Sequence, residues 1–256
     1  MKKIEINEMQ QIELKILLEI DKFCKKNGIT YFLGCGTLFS ASVMKKFFPW
    51  DDDIDIIMPR KDYEIFINKF GTDDLKLLTC KNRDYYYPYA KVVNTKTTAK
   101  ECKNDIKDYG VFVDVFPIDG VPNKIYLALL KPIKYLMYSQ WGCYLKERNI
   151  FVKIIYKLIS IITLPFPKNF FAKIVDKICK NHSINACKKS GIVCHYKNNK
   201  DLVSSSYFKK KETIEFEGHT FYAPKSYKKY LKELYGEYEE RDHTIGHKYL
   251  KAYWKE

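Results

Sequence analysis

Between Phe48 and Arg60 the chain reads Phe-Pro-Trp-Asp-Asp-Asp-Ile-Asp-Ile-Ile-Met-Pro-Arg, with four carboxylates in five residues running straight into an apolar stretch. Side chains of an extended segment alternate between two faces. Asp51, Asp53 and Asp55 therefore share one face, and Asp52, Ile54 and Ile56 share the other. Burying the isoleucines forces Asp53 and Asp55 together on the opposite surface. Two like charges a few ångströms apart repel, and one escape is to raise a pKa. The other is a divalent cation. Mg²⁺ suits the position because it takes carboxylate oxygens at about 2.0–2.1 Å and completes its shell with water and substrate phosphate. A plain solvated acidic loop needs no flanking isoleucines. It also sits oddly in a chain of net charge +14. An EF-hand loop is disfavoured because its Gly and distant Glu are missing at the required spacing.

Two further segments bear on this block. Leu33-Gly34-Cys35-Gly36-Thr37-Leu38 follows a short β-rich run and opens a helix. Glycines there let backbone N–H groups approach a phosphate, and the helix N-terminus adds a favourable dipole. It is neither a Walker A loop nor a dinucleotide fingerprint. Val111-Phe112-Val113-Asp114-Val115-Phe116-Pro117-Ile118-Asp119-Gly120 is a strand interrupted by one carboxylate, Asp114. A buried carboxylate is costly unless it is paired or bound to a metal. If this strand lies beside residues 54–58, Asp114 completes a three-acid site. Asp119 reads equally well as a turn cap or as a functional acid. A phosphate-cradling turn, an acid pair on one strand and a third acid on another are what phosphoryl or nucleotidyl transfer requires.

The surrounding pattern is a mixture of helices and strands. Apolar spacing predicts a helix over residues 4–26, stopped by Gly28. It predicts strands over 29–33, 54–58, 85–93 and 111–116, helices over 38–46 and 62–70, and mainly helix over 124–180. A hairpin over 213–223, turning at Glu217-Gly218, precedes a helix over 226–235. Strands interleaved with helices argue for an α/β or an α+β fold, of which α+β with a mixed sheet is the expectation. The expected division is a catalytic core over 1–123, a helical insert over 124–200 facing membrane or acceptor, and a hairpin and helix over 201–256 that complete the catalytic domain. The longest uncharged apolar run near the middle, Leu158 to Pro167, is half the length needed to span a membrane. The start of the chain has no uninterrupted apolar stretch of the secretory type. With no CxxC pair among eight cysteines, the thiols are expected to be reduced and the compartment cytoplasmic. Cys179, His182, Cys187, Cys194 and His195 are a weak zinc candidate, set against ordinary buried thiols.

The order LGCGTL, FFPWDDDIDIIMPRKDYEIF, VFVDVFPIDGVP and FEGHTFYAPKSYKKYLKELYGEY resembles the LicD family, which includes bacterial phosphocholine transferases and is related to fukutin and fukutin-related protein. The resemblance implies a nucleotidyltransferase-like core. It also implies transfer of a phosphorylated alcohol such as phosphocholine from a CDP-activated donor to a sugar hydroxyl. By position it places Gly34, Gly36 and Thr37 in the donor-phosphate turn. Asp53, Asp55 and Asp114 match the metal-binding acids, with Asp51 behind them. Lys91 matches a lysine that meets the donor phosphate, and His247 lies where the family often has a C-terminal histidine. Arg60 is expected to brace the acidic strand. The turn here reads Gly-Cys-Gly-Thr where the family more often has Gly-Gly-Thr, so Cys35 adds bulk.

The leading expectation is a Mg²⁺-dependent (or Mn²⁺-dependent) transferase that moves a phospho-head group from a CDP- or CMP-activated donor onto a lipid-linked or polymeric surface glycan of the lipopolysaccharide, teichoic acid or capsule type. CMP is released at the inner membrane face. The alternatives are transfer of NMP to a small acceptor, and a non-catalytic basic protein that binds nucleic acid or membrane. The last has no use for aligned carboxylates, so nucleic acid is not an expected partner.

Overall fold

The computed structural model describes residues 1–100, 106–141, 149–195, 201–236 and 250–255. Helix α1 (Ile6–Asn27) buries a stripe formed by Met9, Ile12, Ile16, Leu17, Ile20 and Cys24. It ends where Gly28 adopts the left-handed conformation (φ 64°) and its N–H reaches the Cys24 and Lys25 carbonyls, a conformation glycine takes at little cost. Strand β1 (Phe32–Leu33) and helix α2 (Cys35–Met44) lead to β2 (Ile54–Pro59), and α3 (Arg60–Lys69) follows without a loop.

β3 (Leu75–Leu78), β4 (Ala90–Asn94) and β6 (Phe112–Val121) complete the central sheet in the order β1-β2-β6-β4-β3. β2 and β6 run parallel, with Asp55 opposite Asp114, and the other neighbouring pairs are antiparallel. All ten residues of β6 are buried, as expected for a strand covered on both faces. Helices α4 (Lys124–Trp141), α5 (Ile150–Thr163) and α6 (Phe170–Cys179) follow β6. The chain then returns to the sheet through β7 (Lys189–Gly191), which takes the edge of β6 beyond β4 and pairs in turn with β8 (Val203–Ser204). The hairpin β9 (Lys211–Phe216) and β10 (His219–Pro224) turns at Glu217 and Gly218, both with positive φ, as a two-residue hairpin turn demands. After α7 (Tyr227–Tyr235), β11 (Lys251–Trp254) pairs with β5 (Thr97–Lys100). The fold is α+β, as the element pattern predicts. Among the described residues no helix is long and apolar enough to cross a membrane.

Three sequence expectations need correction. The strand expected from Tyr85 begins only at Ala90. Tyr85, Tyr86, Tyr87 and Tyr89 instead form a buried block of ring contacts around Pro88, and a proline cannot donate to a ladder. The strand expected over 111–116 continues to Val121, so Asp119 is not a turn cap. Alternation puts Asp119 on the face of β6 opposite Asp114. There the Arg60 guanidinium donates two hydrogen bonds to Asp119, at 2.8 and 2.6 Å, and one to Asp176 of α6 at 2.7 Å. Arg60 thus braces the end of β6 and helix α6, and it does not touch the acidic block. Burial alone would lower the Arg60 pKa, but the bonds to Asp119 and the Asp176 charge outweigh it and hold the guanidinium charged.

Removing Asp119 takes two hydrogen bonds from a buried guanidinium and leaves it only Asp176 and Glu64. Asp119→Ala is therefore expected to lower the unfolding free energy by roughly 3–5 kcal/mol, read as an earlier urea midpoint. The double change Arg60→Met with Asp119→Leu should cost clearly less.

Candidate active site

The parallel pairing of β2 with β6 draws the acids together. One carboxylate oxygen each from Asp53, Asp55 and Asp114 lies within 4.8 Å of the others, and among the described residues this is the one group of three or more potential metal ligands. The Asp55 pKa is raised well above its ordinary value, first by burial and then by Asp53, Asp114 and Asp51, with Lys91 acting in the opposite sense. Burial, Asp53 and Asp52 push Asp51 up to about 7. Three hard oxygen donors in this crowded setting fit a small divalent cation. Asp52 points elsewhere: its Oδ2 accepts the Leu250 N–H at 2.6 Å and ties the chain's last strand to the acidic block.

Lys91 is fully buried, and its Nζ lies 2.7 Å from Asp114 Oδ1. Phe112 is 3.4 Å below the ammonium, and the rings of Tyr87, Tyr89 and Tyr109 lie within 5.8 Å. Such faces stabilise a desolvated cation. Lys91 is therefore neither a surface lysine nor one that reaches outward; it holds Asp114 in place from across the β4–β6 ladder.

Sequence reasoning missed two residues of α1. The Gln10 amide donates to the Phe48 and Asp51 carbonyls, at 3.1 and 2.9 Å, fixing the loop that enters β2. Glu13 is fully buried, and among the described residues its carboxyl has no hydrogen-bond partner. Burial, then Asp53, Asp52, Asp51 and Asp114, raise its pKa well above the usual carboxylate range. Both residues interrupt the apolar stripe of α1, a signal that was readable in the sequence.

The turn before α2 is stitched to the acid strand. Gly34 N–H donates to the Asp55 carbonyl at 2.9 Å, and Thr37 Oγ1 accepts the Asp55 N–H at 2.9 Å. A Cβ on Gly34 would stand 2.7 Å from Ile57 Cγ2, so only glycine permits this approach. A Cβ on Gly36 would meet Asp51 Oδ2 at an ordinary 3.8 Å. Thr37 is buried and acts as a fastener. Leu38 N–H is bonded to the Gly34 carbonyl, so the N–H groups of Cys35, Gly36 and Thr37 precede the first helical bond and form the N-terminal end of α2. Cys35 adopts φ 44°, a left-handed conformation that costs a non-glycine residue about 1 kcal/mol or more. Its thiol hydrogen-bonds Asp55, and burial, Asp55 and Asp53 keep it protonated.

Alternation places Ile57 on the Asp55 face of β2, and Phe116 and Ile118 on the Asp114 face of β6. A cavity of about 220 Å³ opens over Ile57 and Ile118, with Cys35 at its wall. His195 lines this cavity and packs against Tyr89 and Phe116. The cysteine and histidine residues of 179–195 are not gathered into a set of three potential ligands. Cys179 and Cys194 are buried thiols whose pKa values burial raises. The six described cysteines are free thiols. His247, Cys102 and Cys143 lie outside the described residues.

Taken together, these elements define a mixed-sheet protein whose central parallel pair carries a carboxylate trio under the N-terminus of a helix. The family model described as LicD/FKTN/FKRP, nucleotidyltransferase domain, matches residues 28–151 of this chain. It is 29% identical over 252 residues to the lipopolysaccharide cholinephosphotransferase LicD of Haemophilus influenzae, covering 93% of this chain and 92% of that protein. A shorter match, 34% identical over 69 residues, links 26% of this chain to 6% of mannosyltransferase regulator 4 of Saccharomyces cerevisiae.

Glu13 gives the site a pH signature. With its folded pKa raised, the folded chain keeps a proton that the unfolded chain loses near the ordinary glutamate value of about 4.3. Stability from this group is complete below that pH and is lost as pH rises toward the folded pKa. Glu13→Gln removes the dependence. In metal-free buffer the variant should gain on the parent by roughly 1.4 kcal/mol per pH unit above pH 5 while Glu13 stays protonated, measured by urea unfolding.

Proposed function

We propose that the chain transfers a phosphocholine-type head group from a CDP-activated donor to a hydroxyl of a surface-glycan precursor. The observation that carries this reading is the convergence of Asp53, Asp55 and Asp114 within 4.8 Å beneath the α2 turn. The match to the LicD family model and the cholinephosphotransferase activity in the name of the similar Haemophilus protein support the reaction class. In the transfer, the acceptor oxygen forms a bond to the donor's outer phosphorus, the bond to the bridging oxygen breaks, and CMP leaves. The N–H groups of Cys35, Gly36 and Thr37, which precede the first helical bond, would cradle a donor phosphate. Gly34 and Thr37 hold that turn against Asp55. Asp114, positioned by Lys91, is the carboxylate suited to share a cation or take the acceptor's proton. A divalent cation such as Mg²⁺ or Mn²⁺, held by Asp53, Asp55 and Asp114, would neutralise charge developing on the diphosphate. Asp51 and Gln10 support the acid loop from behind.

CMP release from CDP-choline in the presence of Mg²⁺ tests this reading. Asp53→Asn is expected to cut it by about 100-fold or more with an unchanged circular-dichroism spectrum. Turnover equal to the parent's, or appearance of the acceptor labelled with CMP in place of phosphocholine, would contradict it.

The acceptor side of this reading is an anionic lipid surface. What supports it is α5 and its neighbours: Phe151, Ile155, Leu158, Ile162 and Leu164 are each more than half exposed, as are Ile125 and Leu129 of α4. From Lys124 to Lys168 the described residues include six lysines and no Asp or Glu. A helix with an apolar outer face and only cationic charge lies in a membrane interface, drawn by both apolar burial and anionic headgroups. Ile155→Asp with Leu158→Asp should abolish co-sedimentation with phosphatidylglycerol-containing vesicles while leaving CMP release from soluble donor intact. If the pair of substitutions breaks a dimer and leaves vesicle binding unchanged, the face belongs to a second copy.

A further inference from the structure

The cavity over Ile57 and Ile118 differs from the rest of the surface in charge. The chain carries net charge +14, yet among the described residues that line this cavity none is Lys or Arg, and one is Asp201. The floor is apolar. One wall is aromatic: Phe208 and Tyr230 are both buried and meet edge to face at 5.6 Å, and Tyr235 stands beside them. Tyr235 is itself held against Phe39, with ring centroids 5.5 Å apart. Rings fixed in this way, joined by one carboxylate, make the environment that attracts an alkylated ammonium: π-faces for its methyl groups and an anion for its charge.

The cavity's place relative to the acids strengthens the argument. Ile57 lies two residues beyond Asp55 on the same face of β2, a rise of roughly 6–7 Å. Cys35 touches both, through its hydrogen bond to Asp55 and its position in the cavity wall. A phosphate seated at the acids with a two-carbon tail along the strand would therefore bring its far end over Ile57. At about 220 Å³ the space is below the range typical for drug-sized ligands. It suits a small head group better than a nucleoside.

We propose that this cavity takes the methylated ammonium end of the transferred head group, with Phe208, Tyr230 and Tyr235 as its aromatic wall and Asp201 as its counter-charge. The proposal rests on the transfer reading above and adds to it the part of the molecule that selects the head group. A primary ammonium, smaller and more strongly hydrated, gains less from the same wall.

Calorimetric titration of the full chain in Mg²⁺ separates the terms. The probes are phosphocholine, phosphoethanolamine and 3,3-dimethylbutyl phosphate, the last matching phosphocholine in shape without its charge. The parent should bind phosphocholine about tenfold more tightly than either of the others. Asp201→Asn should remove most of the preference over the neutral probe. Tyr235→Leu should weaken phosphocholine by about tenfold, and Tyr235→Phe, which keeps the ring, should restore it. Equal affinity for the charged and neutral probes, no measurable binding of phosphocholine, or Asp201→Asn and Tyr235→Leu variants that bind like the parent would each overturn the assignment. CMP release by the parent distinguishes the two levels. If CDP-choline is turned over while the cavity variants keep the parent's KM and choline preference, the subsite fails and the transfer reading stands. If no CDP-alcohol yields CMP, the transfer reading itself fails.

Discussion

The parallel pairing of β2 with β6 sets the register from which the site follows. It puts Asp55 directly opposite Asp114, so two carboxylates 59 residues apart in sequence become neighbours on one sheet face. Like charges in that position oppose folding, and the chain offsets them in several ways at once. Lys91 comes from the next strand to pair with Asp114. Glu13 and Asp51 have raised pKa values, which reduces the negative charge the cluster carries near neutrality. These devices lessen the repulsion, and the proposed divalent cation between Asp53, Asp55 and Asp114 would offset the rest.

The two faces of β6 divide the work. Asp114 faces the acids and the cavity, whereas Asp119, five residues on, faces the opposite way and is locked by Arg60 to α3 and α6. One strand thus carries a carboxylate of the candidate site and a structural one, and alternation alone separates them. The Arg60 cluster also ties the helices that follow β6 to the sheet, so the lysine-bearing apolar face of α5 and the acid site belong to one connected body of secondary structure.

Much of this was legible in the sequence because it is local. The run Asp51 to Met58 combines charge and alternation so tightly that strand, face and crowded acids all follow from it. Gly28 marked the end of α1, and Glu217-Gly218 marked the hairpin. What escaped depended on contacts distant in sequence. The neighbour relation of Asp55 and Asp114 could be stated only as a condition. Lys91 reads as an ordinary strand lysine until Asp114 and the surrounding rings are in place. Glu13 and Gln10 did leave a mark, as polar residues on an apolar helical stripe, but nothing local said what they faced. Short strands such as β3, β5, β7 and β8 carry too few residues for periodicity to register. The tyrosine block before Ala90 has strong β propensity, which tertiary packing around Pro88 overrides.

Divalent-ion binding at the carboxylate trio is the most direct test of the central claim. Crystals soaked in Mn²⁺ should give one dominant anomalous peak within coordination distance of Asp53, Asp55 and Asp114, and Asp55→Asn crystals treated alike should lose it. A dominant peak elsewhere, or none while the three side chains keep the positions described, would contradict the account.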